Sequence, residues 1–294
     1  MPHAHHAAVE FSWISAGLIL AALIYLRGLL RIRRLDLDGV QAWHAVGFIL
    51  GLFLIWLATA SPLSSLDHES LTAHMVQHLL LMTFAAPLIL LGKPVKTLIY
   101  GMPRRLMQVM GRLFQSAGVH HVLRALAHPA ICWLGAAITL VAWHIPAVFA
   151  LGLRSQMWHG IEQASFLATG LLFWWPVAQP WRSASKWPES SLLVYLFLAT
   201  VPCDILSGFL VFCERVVYPV YFSSSQPFGL SALEDQQCAG ALMWTCVTVV
   251  YLIAGAIVTA RLLSSRGSQE YAIRQSETQA FALPKSDAQR MEAL

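Results

Sequence analysis

The stretch Leu71-Thr-Ala-His74-Met75-Val-Gln-His78-Leu-Leu-Leu-Met82-Thr-Phe-Ala-Ala-Pro87-Leu-Ile-Leu-Leu91 decides the fold. It holds no Asp, Glu, Lys or Arg, and its length matches the roughly 20 helical residues needed to cross a hydrocarbon core of about 30 Å. Two histidines inside such a run are costly in lipid, so the same stretch also points to a function.

Working outward, six further apolar runs of similar length appear, giving predicted spans Phe11–Leu30, Gln41–Ala60, Leu71–Leu91, Ile131–Ala150, His159–Ala178, Ser191–Cys213 and Cys238–Ala260. The whole chain of 294 residues is 57% hydrophobic and 12% charged, with a mean hydropathy of +0.61. That balance excludes a soluble domain and predicts an all-α integral membrane protein, a bundle of about seven transmembrane helices. Leu98–Gly118 is apolar but interrupted by Arg104, Arg105 and Arg112, and reads as an amphipathic helix on the membrane surface.

Basic residues set the orientation, because Lys and Arg in short loops stay on the cytoplasmic side. With the N-terminus outside and the C-terminus cytoplasmic, the inner segments hold 17 of the 19 Lys and Arg residues, Arg182, Lys186, Lys285 and Arg290 among them. Only Arg154 and Arg215 fall outside. The net charge of +4 then reflects contact with anionic lipid, and nucleic-acid binding is excluded. Arginines follow the first apolar run and do not precede it, the reverse of a cleavable signal peptide, so that helix is expected to be retained. Trp13, Trp56, Trp143 and Trp158 fall near outer helix ends, and Trp43, Trp133, Trp174, Trp175, Trp181 and Trp187 near inner ones, as an interfacial belt requires. The expected organisation is an extracytoplasmic, His-containing N-terminus (1–10), a membrane domain (11–263), and a polar, disordered cytoplasmic tail (264–294).

In this topology His3, His5, His6, His68, His74, His78, His144 and His159 lie at or beyond the outer interface, and His44, His120, His121 and His128 on the inner side. His74 and His78 share one helix face, Met82 continues it one turn deeper, and Met75 lies beside it. Borderline imidazole and soft thioether donors suit copper, especially Cu(I), better than magnesium or calcium. His144 near the end of the fourth span and His159 with Glu162 in the fifth complete a candidate metal layer if those helices adjoin. A single interfacial His is more often a hydrogen-bonded amphipathic residue. Four on one side shift the balance toward a ligand set.

Asp235 precedes the last helix and can either add a carboxylate to this layer or cap its own helix. Asp204 reads as a packing residue or a functional acid, and His68, beside Asp67 and Glu69, as solvated. The five cysteines, in no CxxC pair, read mainly as small packing residues. Pro87, Pro146, Pro176 and Pro202 are expected to free backbone carbonyls and kink their helices. No phosphate loop, GxSxG, HExxH or CxxCH motif is present, so catalysis is not indicated.

The run from His74 to Met82, with Ala86-Pro87-Leu88 and Gly92-Lys93-Pro94, resembles the signature of the CtaG membrane proteins associated with assembly of haem-copper cytochrome c oxidase. Trp143-His144-Ile145-Pro146, His159 with Glu162, Gly170 to Trp174-Trp175-Pro176, Tyr218-Pro219-Val-Tyr221, Asp235-Gln236-Gln237, Ala239-Gly240 and Met243-Trp244 extend the likeness in order from about residue 40 to 250. One departure is Gln163, where the pattern carries His after Glu. The single-span copper chaperone that shares the name has a different architecture.

The resemblance implies a multi-pass factor of the bacterial plasma (inner) membrane that helps copper reach the copper B site of the oxidase catalytic subunit. A periplasmic copper chaperone is a further possible partner. The alternatives that the residues leave open are a copper transporter, an electron-transfer protein with haem clamped by His78 and His144, and a metal-free assembly scaffold.

Overall fold

A computed structural model describes residues 2–35, 40–178, 190–223 and 227–282; for residues 2–12, 120, 265–274 and 276–282 only the backbone is described. The side chains of His3, His5 and His6, and Trp181, Arg182, Lys186, Trp187, Lys285 and Arg290, lie outside the described residues.

Among the described residues the structure is helical, with no strand. Twelve α-helices follow in order: α1 Pro2–Arg34, α2 Ala42–Thr59, α3 Leu71–His78, α4 Ala86–Leu91, α5 Pro94–Gly101, α6 Arg104–Gln115, α7 Ala117–Leu126, α8 Pro129–His144, α9 Pro146–Arg154, α10 Gln156–Ala178, α11 Ser191–Phe212 and α12 Ala232–Ala282. Short 3-10 turns form at Pro62–Ser65 and Pro219–Ser223, and a π-helical segment, Leu79–Ala85, joins α3 to α4.

Among the described residues five segments are long and apolar enough to cross a membrane: Trp13–Arg34, Ala42–Ser65, Leu71–Leu91, Ser191–Phe212 and Ala232–Ser264. They coincide with five of the expected spans. α10 covers another and has 23 residues, but Glu162 and Gln163 make it more polar than those five. The expected span Ile131–Ala150 is interrupted: α8 stops at His144, Ile145 is extended, and Pro146 opens α9. Proline biases the residue before it away from helical angles, which accounts for the break. α7 and α8 together are long enough for one span, bent by 60°.

The expected surface helix Leu98–Gly118 is divided among α5, α6 and α7, with breaks at Met102–Pro103 and Ser116. Leu106, Val109 and Leu113 are exposed on α6 beside its arginines, as an amphipathic helix requires. At the chain ends α1 starts at Pro2, and α12 continues past residue 264 to Ala282. The segment beyond 264 contains helix-forming Ala, Gln, Glu and Arg and meets no proline before Pro284.

The run from α3 through the π segment to α4 is the centre of the bundle. It packs on α2 along one side and α10 along the other, with α12 against α3. Pro87 leaves this π turn one donor short. In a π register the Met82 carbonyl would face residue 87, which has no N–H. The indole N–H of Trp174 on α10 donates to that carbonyl instead, at 3.0 Å. Gly170 one turn earlier permits this approach, because a Cβ there would lie 2.9 Å from Met82 Cα. Away from this contact Phe197, Ile205, Phe212 and Leu252 are exposed, an apolar surface suited to lipid.

Candidate metal centre

α3 and α10 bring four of the eight expected residues into contact. His74 and His78, one turn apart on α3, turn their Nε2 atoms to within 2.8 Å of each other. Glu162 Oε1 on α10 lies 3.3 Å from His74 Nε2 and 3.2 Å from His78 Nε2. All three side chains are buried, those of His74 and Glu162 completely. His159, one turn before Glu162, places Nδ1 3.5 Å from Glu162 Oε2.

Three facing nitrogen and oxygen atoms form a small triangle, and the wall behind them is aromatic. Phe166 stacks on His78 with centroids 4.1 Å apart, and Phe149 lies 4.8 Å from His74. Gly152 on α9 leaves room for the carboxylate, since a Cβ there would come within 2.7 Å of Glu162 Oε2.

His144 stands at the end of α8, buried and beside the triangle. Its Nδ1 lies 2.7 Å from the Leu140 carbonyl, a hydrogen bond that puts the ring proton on Nδ1 and leaves a lone pair on Nε2. That Nε2 is buried without a hydrogen-bond partner, as are His74 Nδ1, His78 Nδ1 and Glu162 Oε2. Tyr218 donates to the His144 carbonyl at 2.9 Å and holds this helix end in place.

His78 and His144 roof a cavity with about 50 Å³ of room for water-sized molecules, and Met75, Met82, Trp133, Cys203 and Met243 help to line it. Met75 and Met82 line this cavity and are not part of the triangle.

Asp235, considered as a further ligand, has another role. Its carboxylate accepts from Ser70 Oγ at 2.9 Å, Leu71 N at 2.6 Å and Thr72 N at 3.2 Å, so it caps α3 from α12. The free amides at the start of α3 attract this anion and occupy both its oxygens. The sequence suggested a cap on Asp235's own helix, and the pairing across the bundle has no local sequence signal.

Asp67 is the residue that sequence reasoning passed over. It sits in the turn before α3, 1% exposed at the side chain, with Oδ2 3.0 Å from His159 Nε2. Burial raises its pKa, but the hydrogen bond from His159 and the charges of His159 and His68 outweigh this and hold it below the ordinary carboxylate range. Its carbonyl accepts from Tyr221 at 2.7 Å. Gln163 joins the same layer: its amide nitrogen lies 2.8 Å from His159 Nε2 and donates to Gln77 Oε1 at 3.1 Å. Asp67's position next to His68 and Glu69 in a polar turn concealed it.

The donors fit a first-row transition ion. Such an ion, with bonds of about 2.0–2.1 Å in a tetrahedral shell, separates its ligand atoms by about 3.3 Å. The two Glu–His separations match, and the His–His separation of 2.8 Å needs a small opening. Among the described residues two groups have ligand atoms close enough to share an ion: His74, His78 and Glu162, and Asp67, His74 and His159.

The profile of a family described as cytochrome c oxidase caa3 assembly factor (Caa3_CtaG) matches residues 23–265. The chain belongs to this family. The match takes in the last third of α1, all of α2 to α11, most of α12, and every residue of the buried triangle. The Caa3_CtaG family is one of oxidase assembly factors. Two curated relatives are an uncharacterized protein, Mb0105, of Mycobacterium bovis and another, MT0111, of Mycobacterium tuberculosis. Each is 23% identical over 259 residues, 84% of this chain but 38% of the relative. The chain thus spans under half the length of the curated relatives it matches. No solved structure matches it.

Proposed function

We propose that the protein assists assembly of haem-copper cytochrome c oxidase by holding a copper ion at His74, His78 and Glu162 and passing it toward the copper B site of the catalytic subunit. The observation that carries this reading is the triangle of His74 Nε2, His78 Nε2 and Glu162 Oε1, with separations of 2.8 to 3.3 Å inside a membrane domain. Imidazole and carboxylate suit copper and other borderline ions and give little reason to hold magnesium or calcium. His144 Nε2, with its lone pair directed by the bond to Leu140, is placed to act as a fourth donor. The thioethers of Met75 and Met82 line the cavity that begins at His78 and offer softer ground for Cu(I). The role is that of a carrier, with no catalytic step.

In this reading the five apolar spans, with α8 and α10, make seven crossings of the bacterial plasma membrane. The histidine end faces outward because 17 of the 19 basic residues then lie inside, and copper arrives there from a periplasmic chaperone. Reporter fusions after α2, α4, α8 and α11 test this topology, with outside, inside, outside and outside expected in that order.

The test of function compares detergent-purified wild type with a His74→Ala, His78→Ala double variant. Copper content and oxidase activity in the corresponding cells should both be lost while the variant protein accumulates normally. Full oxidase assembly with the double variant refutes the copper role and leaves a metal-free scaffold.

A second reading, transport of copper across the bilayer, is favoured by the cavity that leads from His78 past Met82 to Cys203 and Met243. Copper uptake into proteoliposomes separates transport from assembly.

A further inference from the structure

Beyond the triangle, the residues Asp67, His159, His74 and His68 form a second arrangement. His68 is largely exposed, with 57% of its side chain accessible, and its Nε2 lies 3.7 Å from Asp67 Oδ1. Asp67 Oδ2 lies 3.0 Å from His159 Nε2, and the other nitrogen of that ring lies 3.5 Å from Glu162 Oε2. Donors thus succeed one another from the protein surface to the buried triangle with no gap above 3.7 Å.

Two features point to a ligand and not only to an ion pair. The ligand atoms of Asp67, His74 and His159 lie within 4.8 Å of one another, close enough to share one ion. Asp67 Oδ1 and His159 Nδ1 are also buried without a hydrogen-bond partner, although buried polar atoms ordinarily have one. An Asp–His pair that served only to orient the ring would not need the second carboxylate oxygen left without a hydrogen bond, facing only His68 at 3.7 Å.

We infer that Asp67, His159 and His74 form a vestibular metal site that captures a divalent first-row transition cation and hands it to the buried site through the shared ligand His74. The inference rests on the reading of His74, His78 and Glu162 as a metal site and adds its route of loading. A buried site exchanges metal slowly if every ligand must release at once. Exchange of one ligand at a time, Asp67 for Glu162 and His159 for His78, keeps the ion coordinated throughout. The donor set of one carboxylate and two imidazoles suits Cu2+, Zn2+ or Co2+. The negative charge of Asp67 also favours a cation beneath His68.

Cobalt is the probe, since its visible absorption reports coordination in the full-length protein in detergent. Asp67→Asn keeps the shape and the hydrogen-bonding capacity of the side chain and removes its charge. Loading of Co2+ by Asp67→Asn is expected to slow by about tenfold or more, in line with the loss of local charge steering, while the final stoichiometry and affinity at the buried site stay near wild type. His78→Ala is expected to retain a weaker Co2+ site, which Asp67→Asn in the same chain abolishes. Should Asp67→Asn fail to accumulate, Asp67→Ser takes its place in both comparisons.

Loading of the Asp67 variant at the wild-type rate, or a His78→Ala protein that binds no Co2+, overturns the vestibular site and leaves the buried one standing. A wild type that binds neither Co2+ nor copper overturns both.

Discussion

Asp235 on α12 accepts a hydrogen bond from Ser70 Oγ at 2.9 Å, across 165 residues of sequence, and so closes the start of the helix that carries His74 and His78. The position of the candidate metal layer therefore depends on a contact between the third and last apolar spans. An N-terminal cap contributes about 1 kcal/mol, and up to about 2 in favourable settings. Asp235→Ala is expected to lower the thermal midpoint in detergent and to weaken metal binding, because α3 loses three acceptor contacts together. Asp235→Asn, which keeps one acceptor oxygen, should recover part of the loss in the same melt.

The third span and its histidine stripe were legible because apolar length and a spacing of four are local properties of the chain. The convergence of His74, His78, His159 and Glu162 followed from the same reasoning once α10 lay against α3. Asp67 and Asp235 were not legible. Each acquires its role from a partner far away in the sequence, His159 for one and the α3 amides for the other. The break at Ile145 was partly legible, since Pro146 signals a kink, but the sequence does not say that one helix stops and another starts. The π segment is flanked by Pro87 and bonded by Trp174, and the sequence marks only the first of these as a perturbation.

Gly170 admits the Met82 backbone, and a methyl group there meets Met82 Cα at 2.9 Å and the Met82 carbonyl at 3.1 Å. Gly170→Ala should cost about 1–3 kcal/mol by overpacking. Gly208, on α11, has nothing within 4 Å of a built Cβ. Gly208→Ala should be neutral or slightly stabilising, as expected for a helical glycine in open space. Parallel thermal melts of the two variants check the contrast, and equal effects would count against the packing described for α10.

Trp174→Phe keeps the aromatic bulk and removes the N–H that satisfies the Met82 carbonyl. A buried acceptor left without its partner costs about 1–3 kcal/mol. The variant should melt earlier than wild type, and backbone hydrogen exchange should rise in Leu79–Ala85 more than in α11. Unchanged exchange in that segment would show that the indole bond does not hold the π turn.

Haem clamped between His78 and His144 predicts a Soret band, whereas the copper reading predicts none. His78 already faces His74 Nε2 at 2.8 Å and lies flat against Phe166, so its ring is committed to the triangle. The visible spectrum of the purified protein is expected to be free of a Soret band, and His144→Ala should leave it so. A Soret band lost on that substitution would support the haem reading.

The central claim is that the ion is held by imidazole and carboxylate from α3 and α10. X-ray absorption at the copper edge of the copper-loaded protein tests it most directly. The account predicts a first shell of nitrogen and oxygen at about 2.0 Å, as expected for imidazole and carboxylate ligands, with imidazole scattering that falls sharply in the His74→Ala, His78→Ala variant. A first shell dominated by sulfur, unchanged by that double substitution, would contradict it and move the site down to the methionines and Cys203.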